Sequence, residues 1–193
     1  MYWLKDKMLR VLIFTLVFVS SNLVFKKSFG KSNPSEIGNL QHNLCEECKF
    51  LNGQGLLRFF GLKIYQATLF SEYKSGEIFN SKFFLRIKYF REFSGKDIAK
   101  ISFKEMHRLN LIAKEKEGIW LAWMEKNIPD IKKDDVLKGV YVPEEGIVLH
   151  HNENLVAIIS DKDFARSFFL IWLHENTSEP KLRKELLEFR ENG

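Results

Sequence analysis

The residues of this sequence that could do chemistry are few and widely separated. The two cysteines form a single Cys-x-x-Cys, at Cys45 and Cys48. This spacing occurs in thiol redox centres and in zinc sites, but a structural zinc site needs further soft ligands, and neither a second Cys-x-x-Cys nor a His-x-x-x-His is present. We therefore expect a short-range disulfide or two idle thiols, with no metal site and no cofactor.

The histidines and glycines do not complete a catalytic motif either. His150 and His151 are neighbours in a predicted strand, where successive side chains point to opposite faces, so the two cannot chelate one ion. The sequence contains no Gly-x-Ser-x-Gly, His-Glu-x-x-His or Walker loop. Gly53-Gln-Gly55 lacks the third glycine and the following helix of a dinucleotide-binding motif. We expect it to be a pair of turn glycines ahead of a strand.

Arg58 is the polar residue that stands out. It lies within an otherwise apolar predicted strand, where burying a guanidinium is costly unless an anion or a hydrogen-bond acceptor pairs with it. Two arrangements remain open from the pattern alone. The side chain lies on an exposed face of the strand, or it faces an anionic ligand in a cleft.

The positive charge of the chain is concentrated at its N-terminus. The net charge is +5, and residues 1–30 supply most of it, with five basic residues against Asp6. The remainder is nearly neutral and has no nucleic-acid-binding signature. Residues 11–25 carry no formal charge and follow a basic start, which predicts a signal peptide over residues 1–30, or an uncleaved N-terminal membrane anchor. We expect a linker at residues 31–43 and an exported periplasmic or secreted domain over residues 44–193.

The elements of that domain follow from periodicity and turn signals. Residues 53–70 predict two paired strands that are broken near Gly61, and residues 83–91 alternate as in a half-buried antiparallel strand. Three more strands are predicted at residues 136–142, 147–151 and 155–160.

Helices occupy the middle and the end of the predicted domain. Ser102 and Glu105 form a capping box that predicts a helix start. Ile119, Trp120, Trp123 and Met124 are expected on one side of a second helix that stops before Pro129. Asp161 or Asp163 can cap a third helix, whose aromatic residues either fill the core or line a pocket. A last helix after Pro180 is expected to bury Leu182, Leu186 and Phe189. Strands at both ends with helices between and after them predict an α+β fold, a large antiparallel sheet covered by a layer of helices.

The same segments carry a resemblance to a known family. Residues 51–58 (Leu-Asn-Gly-Gln-Gly-Leu-Leu-Arg) leading into residues 63–70 (Lys-Ile-Tyr-Gln-Ala-Thr-Leu-Phe) are similar to a stretch of chalcone isomerase-like proteins. Further matches follow in order at residues 89–96, 105–106, 129–130, 139–141, 151–152, 168–173 and 177–183. Over roughly residues 45–190 the chain thus resembles the secreted bacterial branch of that family.

The resemblance implies an open-faced β-sandwich with a ligand cleft between sheet and helices. It places the family's functional arginine at Arg58 and its strand threonine at about Tyr65. The family's catalytic tyrosine falls on Ile98, which has no hydroxyl to donate to a developing oxyanion. We therefore expect a non-catalytic protein that binds a small apolar anion, such as a fatty acid, through Arg58 and Tyr65. The alternative is an intramolecular lyase of the chalcone isomerase type, or an enzyme acting on another substrate. No nucleic acid is expected as a partner, and membrane contact is expected only through an uncleaved N-terminal segment.

Overall fold

In the part of the chain that the structure describes, six strands form one antiparallel sheet in the order in which they occur along the sequence. The structure is a computed structural model and describes residues 48–72 and 77–188, so the predicted signal peptide, the linker, Cys45 and Phe189 lie outside the described residues. The strands are β1 (Phe50–Phe59), β2 (Leu62–Ser71), β3 (Phe83–Tyr89), β4 (Val136–Val142), β5 (Gly146–His151) and β6 (Asn154–Ile159). Their positions confirm the strands predicted from the sequence to within a few residues.

Strand β3 shows how the sequence sets the two faces of the sheet. Phe83, Leu85, Ile87 and Tyr89 are buried, and the residues between them are only half-buried. Side chains alternate across a pleated strand, so the apolar set shares one face. That face contacts the helices, as the alternation predicted.

The described ranges contain four helices, which lie on this side of the sheet, and two short 3₁₀ turns, at Ile78–Asn80 and Lys114–Lys116. The helices are α1 (Gly95–Arg108), α2 (Glu117–Asn127), α3 (Lys162–Leu173) and α4 (Pro180–Leu187). The shared core lies between sheet and helices and is rich in large rings, among them Phe83, Trp120, Phe164 and Phe169. The α+β architecture predicted from the sequence is therefore confirmed.

Helix α1 begins eight residues earlier than the capping box predicted, since its N-cap is Ser94 and not Ser102. Its first residue is Gly95, whose backbone N–H donates to the Asp130 carboxylate at 2.8 Å. Ser102 is buried in the middle of the helix, and Glu105 accepts hydrogen bonds from the Arg108 side chain and from the Ser178 backbone N–H. The predicted start was wrong because the cap comes from a carboxylate on a distant loop and has no local sequence signal.

The other helices match the prediction with one exception. Trp120, Trp123 and Met124 of α2 are buried, whereas Ile119 is 49% exposed and was wrongly placed with them. The choice left open at the start of α3 falls on Asp161, which accepts hydrogen bonds from the backbone N–H groups of residues 163 and 164. In α4, Leu182 and Leu186 are buried as expected.

The two early glycines lie inside β1, and the expectation that they form a turn ahead of the strand was wrong. A Cβ built on Gly53 would lie 2.1 Å from the backbone oxygen of Glu185, and one on Gly55 would lie 2.4 Å from Leu182. Both contacts are with α4. The glycines therefore let a helix approach the backbone of the strand closely.

All described residues belong to one compact unit, Ser32–Gly193. The whole sheet and its shared core lie inside this unit, so we expect it to fold without residues 1–31. Within the described ranges no helix has both the length and the apolar character needed to cross a bilayer.

Candidate functional site

A cavity of about 20 Å³ lies between the sheet and helices α1 and α3. Its lining comes from three strands and two helices: Leu85, Ile87, Tyr89, Leu137, Gly139, Leu149, Ile98, Ser102, Phe168, Phe169 and Trp172. None of these side chains is charged. A space of this size holds about one water molecule, so the layers are nearly in contact at this point.

The aromatic face of α3 forms the wall of the cavity that is opposite the sheet. Phe168 makes edge contacts with Phe169 and Trp172, with ring centroids 5.7 and 5.5 Å apart. Gly139 makes room for this wall, since a Cβ there would lie 3.1 Å from the Phe169 ring. The sequence left open whether the aromatic residues of α3 fill the core or line a pocket. They do both, because the same rings belong to the core and border the cavity.

Trp172, which lines the cavity, is hydrogen-bonded to a second ring that lies behind it, that of Tyr65. The indole Nε1–H of Trp172 donates to the Tyr65 hydroxyl oxygen at 3.0 Å. The Tyr65 ring in turn contacts the edge of the Tyr89 ring, with centroids 5.8 Å apart. Burial raises the pKa of both tyrosines well above the ordinary value, so both hydroxyls stay neutral and can donate hydrogen bonds.

Two hydroxyl groups of the lining are available to a bound molecule. Neither the Tyr89 hydroxyl nor the Ser102 hydroxyl forms a hydrogen bond with any residue that the structure describes. Ser102 was missed as a site residue because the sequence pattern assigned it to a cap. The signal that could have found it is its spacing from Ile98, since residues four apart share a helix face.

A clamp of charged groups joins α1 to the loop before α4. The Glu105 carboxylate accepts two hydrogen bonds from Arg108, at 2.9 and 2.7 Å, and one from the Ser178 backbone N–H at 2.8 Å. Burial opposes ionisation of Glu105, but these hydrogen bonds outweigh it and hold its pKa below the ordinary value. The clamp therefore keeps its own charges paired and fixes the loop beside Tyr65.

Arg58 lies away from the cavity. Its side chain is exposed, and its guanidinium donates to the backbone oxygen of Gly61 at 3.0 Å. Gly55 packs against α4 and Leu57 packs against the core, so alternation along β1 places Arg58 on the opposite face of the strand. The guanidinium thus does not face the cleft, and of the two predicted site residues only Tyr65 adjoins it. A ligand-binding role for either residue stays a prediction.

Ile98 lies where the resemblance places the catalytic tyrosine, and its hydrocarbon side chain lines the cavity. The remaining candidate residues lie elsewhere. His151 bonds Asp135 at 2.8 Å, and the buried Nδ1 of His150 has no partner among the described residues. Cys48 is disulfide-bonded. In the described ranges no three metal-ligating side chains come close enough together to hold a metal ion.

Comparison with known proteins agrees with this fold. The chalcone isomerase-like family model matches residues 48–188. An uncharacterized protein of Haemophilus influenzae is 29% identical over 124 residues, which is 64% of this chain but 60% of that protein, so the match spans less than two thirds of the relative. The crystal structure of a fatty-acid binding protein of Arabidopsis thaliana superposes with a TM-score of 0.56 at 13% identity, over 71% of this chain and 85% of that one. This structural likeness concerns the fold, and the family match covers most of the sequence. The chain belongs to the chalcone isomerase-like family.

Proposed function

We propose that this protein binds an apolar ligand of the fatty-acid class between the sheet and helices α1 and α3, without catalysing a reaction. The observation that carries the proposal is the lining of the cavity, which is apolar apart from hydroxyl and indole groups and contains no charge. Apolar lining with a few polar groups is typical of small-molecule sites. The structural likeness to a protein that is described as fatty-acid binding supports the ligand class.

Binding requires the two layers to separate. The cavity measures about 20 Å³, whereas pockets that hold a small organic ligand measure roughly 300–1,000 Å³. The contacts that must open are those of the α3 rings with β3 and β4, among them Phe169 against Phe83. We therefore expect slow association, limited by movement of the helices away from the sheet.

The carboxylate of such a ligand is expected to stay in water at the surface of the protein. An unpaired carboxylate is costly to bury, and the lining offers it no cation. Next to Tyr65, the negative charges of Glu179 and Glu105 act on the Tyr65 hydroxyl. They would also repel a ligand carboxylate buried beside it. The part of the ligand that is held is thus the hydrocarbon chain.

The proposal of a non-catalytic role depends on Ile98. Removing a donor that stabilises an oxyanion costs about 2.7–4 kcal/mol in enzymes that use one. Ile98 supplies no donor, and the neutral hydroxyls of Tyr89 and Ser102 are the groups that an intramolecular lyase would have to use in its place.

We further propose that the domain acts outside the cytoplasm. The support is the basic and apolar pattern of residues 1–30 together with the disulfide at Cys48, since stable disulfides belong to oxidising compartments.

A matched pair of substitutions on α1 tests the binding proposal. Ile98→Phe adds volume inside the cavity, and Ile101→Phe adds the same volume at a position on the same helix that is 53% exposed. Titration of a fluorescent fatty acid should give a dissociation constant at least about tenfold higher for Ile98→Phe, a change of about 1.4 kcal/mol, and no change for Ile101→Phe. Native mass spectrometry of the purified protein should show a bound lipid that Ile98→Phe loses. Equal affinities in both variants and the wild type would place the site elsewhere or rule it out.

A further inference from the structure

The turn between β1 and β2 exposes large apolar side chains. We define the hairpin tip as residues 58–63. Within it Phe60 is 71% exposed and Leu62 is 50% exposed. The Phe59 and Phe60 rings contact each other edge to face, with centroids 4.5 Å apart. These side chains therefore form a small apolar knob at the end of the hairpin, separate from the cavity.

The backbone of the tip makes this phenylalanine unusual. Phe60 has φ 47° and Gly61 has φ 80°, which is the pattern of a two-residue hairpin turn with both central residues left-handed. Asn-Gly is the preferred pair in such turns, and a bulky residue at the first position is strained. Since the Phe60 ring is also exposed, neither turn geometry nor core packing accounts for it.

Two cations flank the apolar side chains. Arg58 and Lys63 lie at the two ends of the tip, and residues 58–63 include no acidic residue. The Arg58 guanidinium bonds the Gly61 backbone oxygen, and the Lys63 ammonium lies 5.6 Å from the centre of the Phe90 ring. Neither cation forms an ion pair with a carboxylate in the described part of the chain. Both charges are thus free to meet an anionic surface.

We propose that the hairpin tip inserts Phe60 and Leu62 into the surface of a bilayer that contains anionic lipid, with Arg58 and Lys63 at the level of the headgroups. Aromatic and leucine side chains with basic neighbours are typical of interfacial membrane contacts, which reach about 5–10 Å into the bilayer. A stable protein interface needs about 800 Å² on each partner, more than a few side chains on one turn supply. A lipid surface therefore fits the tip better than a protein does.

This inference goes beyond the proposed ligand site and does not depend on it. No residue of the tip lines the cavity. Fatty-acid binding without membrane binding would support the ligand site and contradict the membrane contact. Membrane binding without fatty-acid binding would do the reverse.

Phe60→Asn is the decisive substitution because it removes the ring while giving the turn the residue that it prefers. In the unit Ser32–Gly193 we expect it to raise the melting temperature and to lower partitioning onto vesicles of phosphatidylcholine and phosphatidylglycerol by about tenfold. Arg58→Gln and Lys63→Gln should each lower it by about fivefold on these vesicles, and not on pure phosphatidylcholine. Ile101→Asn, which removes exposed apolar area at a different place, serves as the control and should bind like the wild type.

A local probe extends the test to the full chain, where residues 1–30 could bind lipid independently. A nitroxide attached at Leu62→Cys reports its surroundings, because Cys48 is disulfide-bonded and unreactive to the label. With vesicles we expect its collisions with oxygen to rise and those with a water-soluble nickel complex to fall. Equal partitioning of Phe60→Asn and wild type, an equal loss in Ile101→Asn, or a nitroxide that stays in water would overturn the proposal. Self-association of the wild type without lipid, abolished by Phe60→Asn, would identify a protein contact instead.

Discussion

Replacing Gly53 by alanine should push helix α4 away from the sheet. The new Cβ would lie 2.1 Å from the backbone oxygen of Glu185 and 2.6 Å from that of Leu186. Both are backbone atoms, so no change of side-chain rotamer relieves the contact. Restoring an ordinary separation of about 3.5 Å requires the helix backbone to move by roughly 1.4 Å.

That movement has a cost that can be approximated from the packing of the helix. Leu182 and Leu186 are buried beneath α4 and would lose contacts when it moves. Overpacking a dense core typically costs 1–3 kcal/mol, and we expect Gly53→Ala to lie near the upper end, at about 3 kcal/mol. For a domain of this size that corresponds to a fall in melting temperature of roughly 6–12 °C.

Gly118→Ala is the matched control. Gly118 lies in the first turn of α2, and a Cβ there meets no atom within 4 Å. Alanine should therefore raise the unfolding free energy by about 0.5–1 kcal/mol through helix propensity. Thermal and urea unfolding of both variants measure the two effects, and amide hydrogen exchange shows whether α4 loosens. If Gly53→Ala unfolded within 1 kcal/mol of the wild type, the close packing of α4 on β1 would be refuted.

Four further predictions concern the proposed site and candidate residues outside it. Glu105→Gln should make the free energy of unfolding less sensitive to pH in the acid range. The Glu105 carboxyl has a folded pKa below the ordinary value, so it contributes stability above the unfolded pKa that is lost as the pH falls through the folded pKa. Urea unfolding across acid pH measures this, and unchanged acid sensitivity would contradict it. His150→Leu should keep or raise the melting temperature, since the buried ring Nδ1 has no partner among the described residues, and a clear fall would show that it does have one. Chalcone should lose its absorbance only at the spontaneous rate, because Ile98 offers no donor, and faster loss would show enzymatic activity. Arg58→Ala should leave fatty-acid affinity unchanged in a fluorescence titration, and a tenfold loss would support the role that the family resemblance implies.

Much of the fold could be predicted because its signals are local. The alternation of β3 follows from the sequence alone, since each side chain's face depends on its position in the strand. The N-cap Asp161 was one of the two candidates that the sequence offered. An N-cap has a local signal because its side chain bonds the backbone N–H groups two and three residues later in the chain.

The failures concern contacts between residues far apart in the chain. The N–H of Gly95 is capped by Asp130, and Gly53 contacts α4, so neither role has a signal within its own segment. The family resemblance implied that Arg58 faces the cleft, whereas alternation along β1 places it on the exposed face, one of the two arrangements that the sequence pattern left open. Ser102 was missed as a site residue because Ser102 and Glu105 match the capping box, a motif that predicts the start of a helix.

The order of the strands has a consequence for the kinetics of folding. Tight turns join β1 to β2, β4 to β5 and β5 to β6, so these pairs can zip together locally, on a timescale of about 1–10 μs for a hairpin. The pairing of β3 with β4 is different, because α1 and α2 are inserted between them. Closing the long loop between β3 and β4 costs conformational entropy before the contacts between these strands can form and offset it. We expect β1 to β3 and β4 to β6 to form early as two separate halves, and the pairing of β3 with β4 to limit the folding rate. Mutations between β3 and β4 should then slow folding, whereas mutations in α4 should mainly speed unfolding.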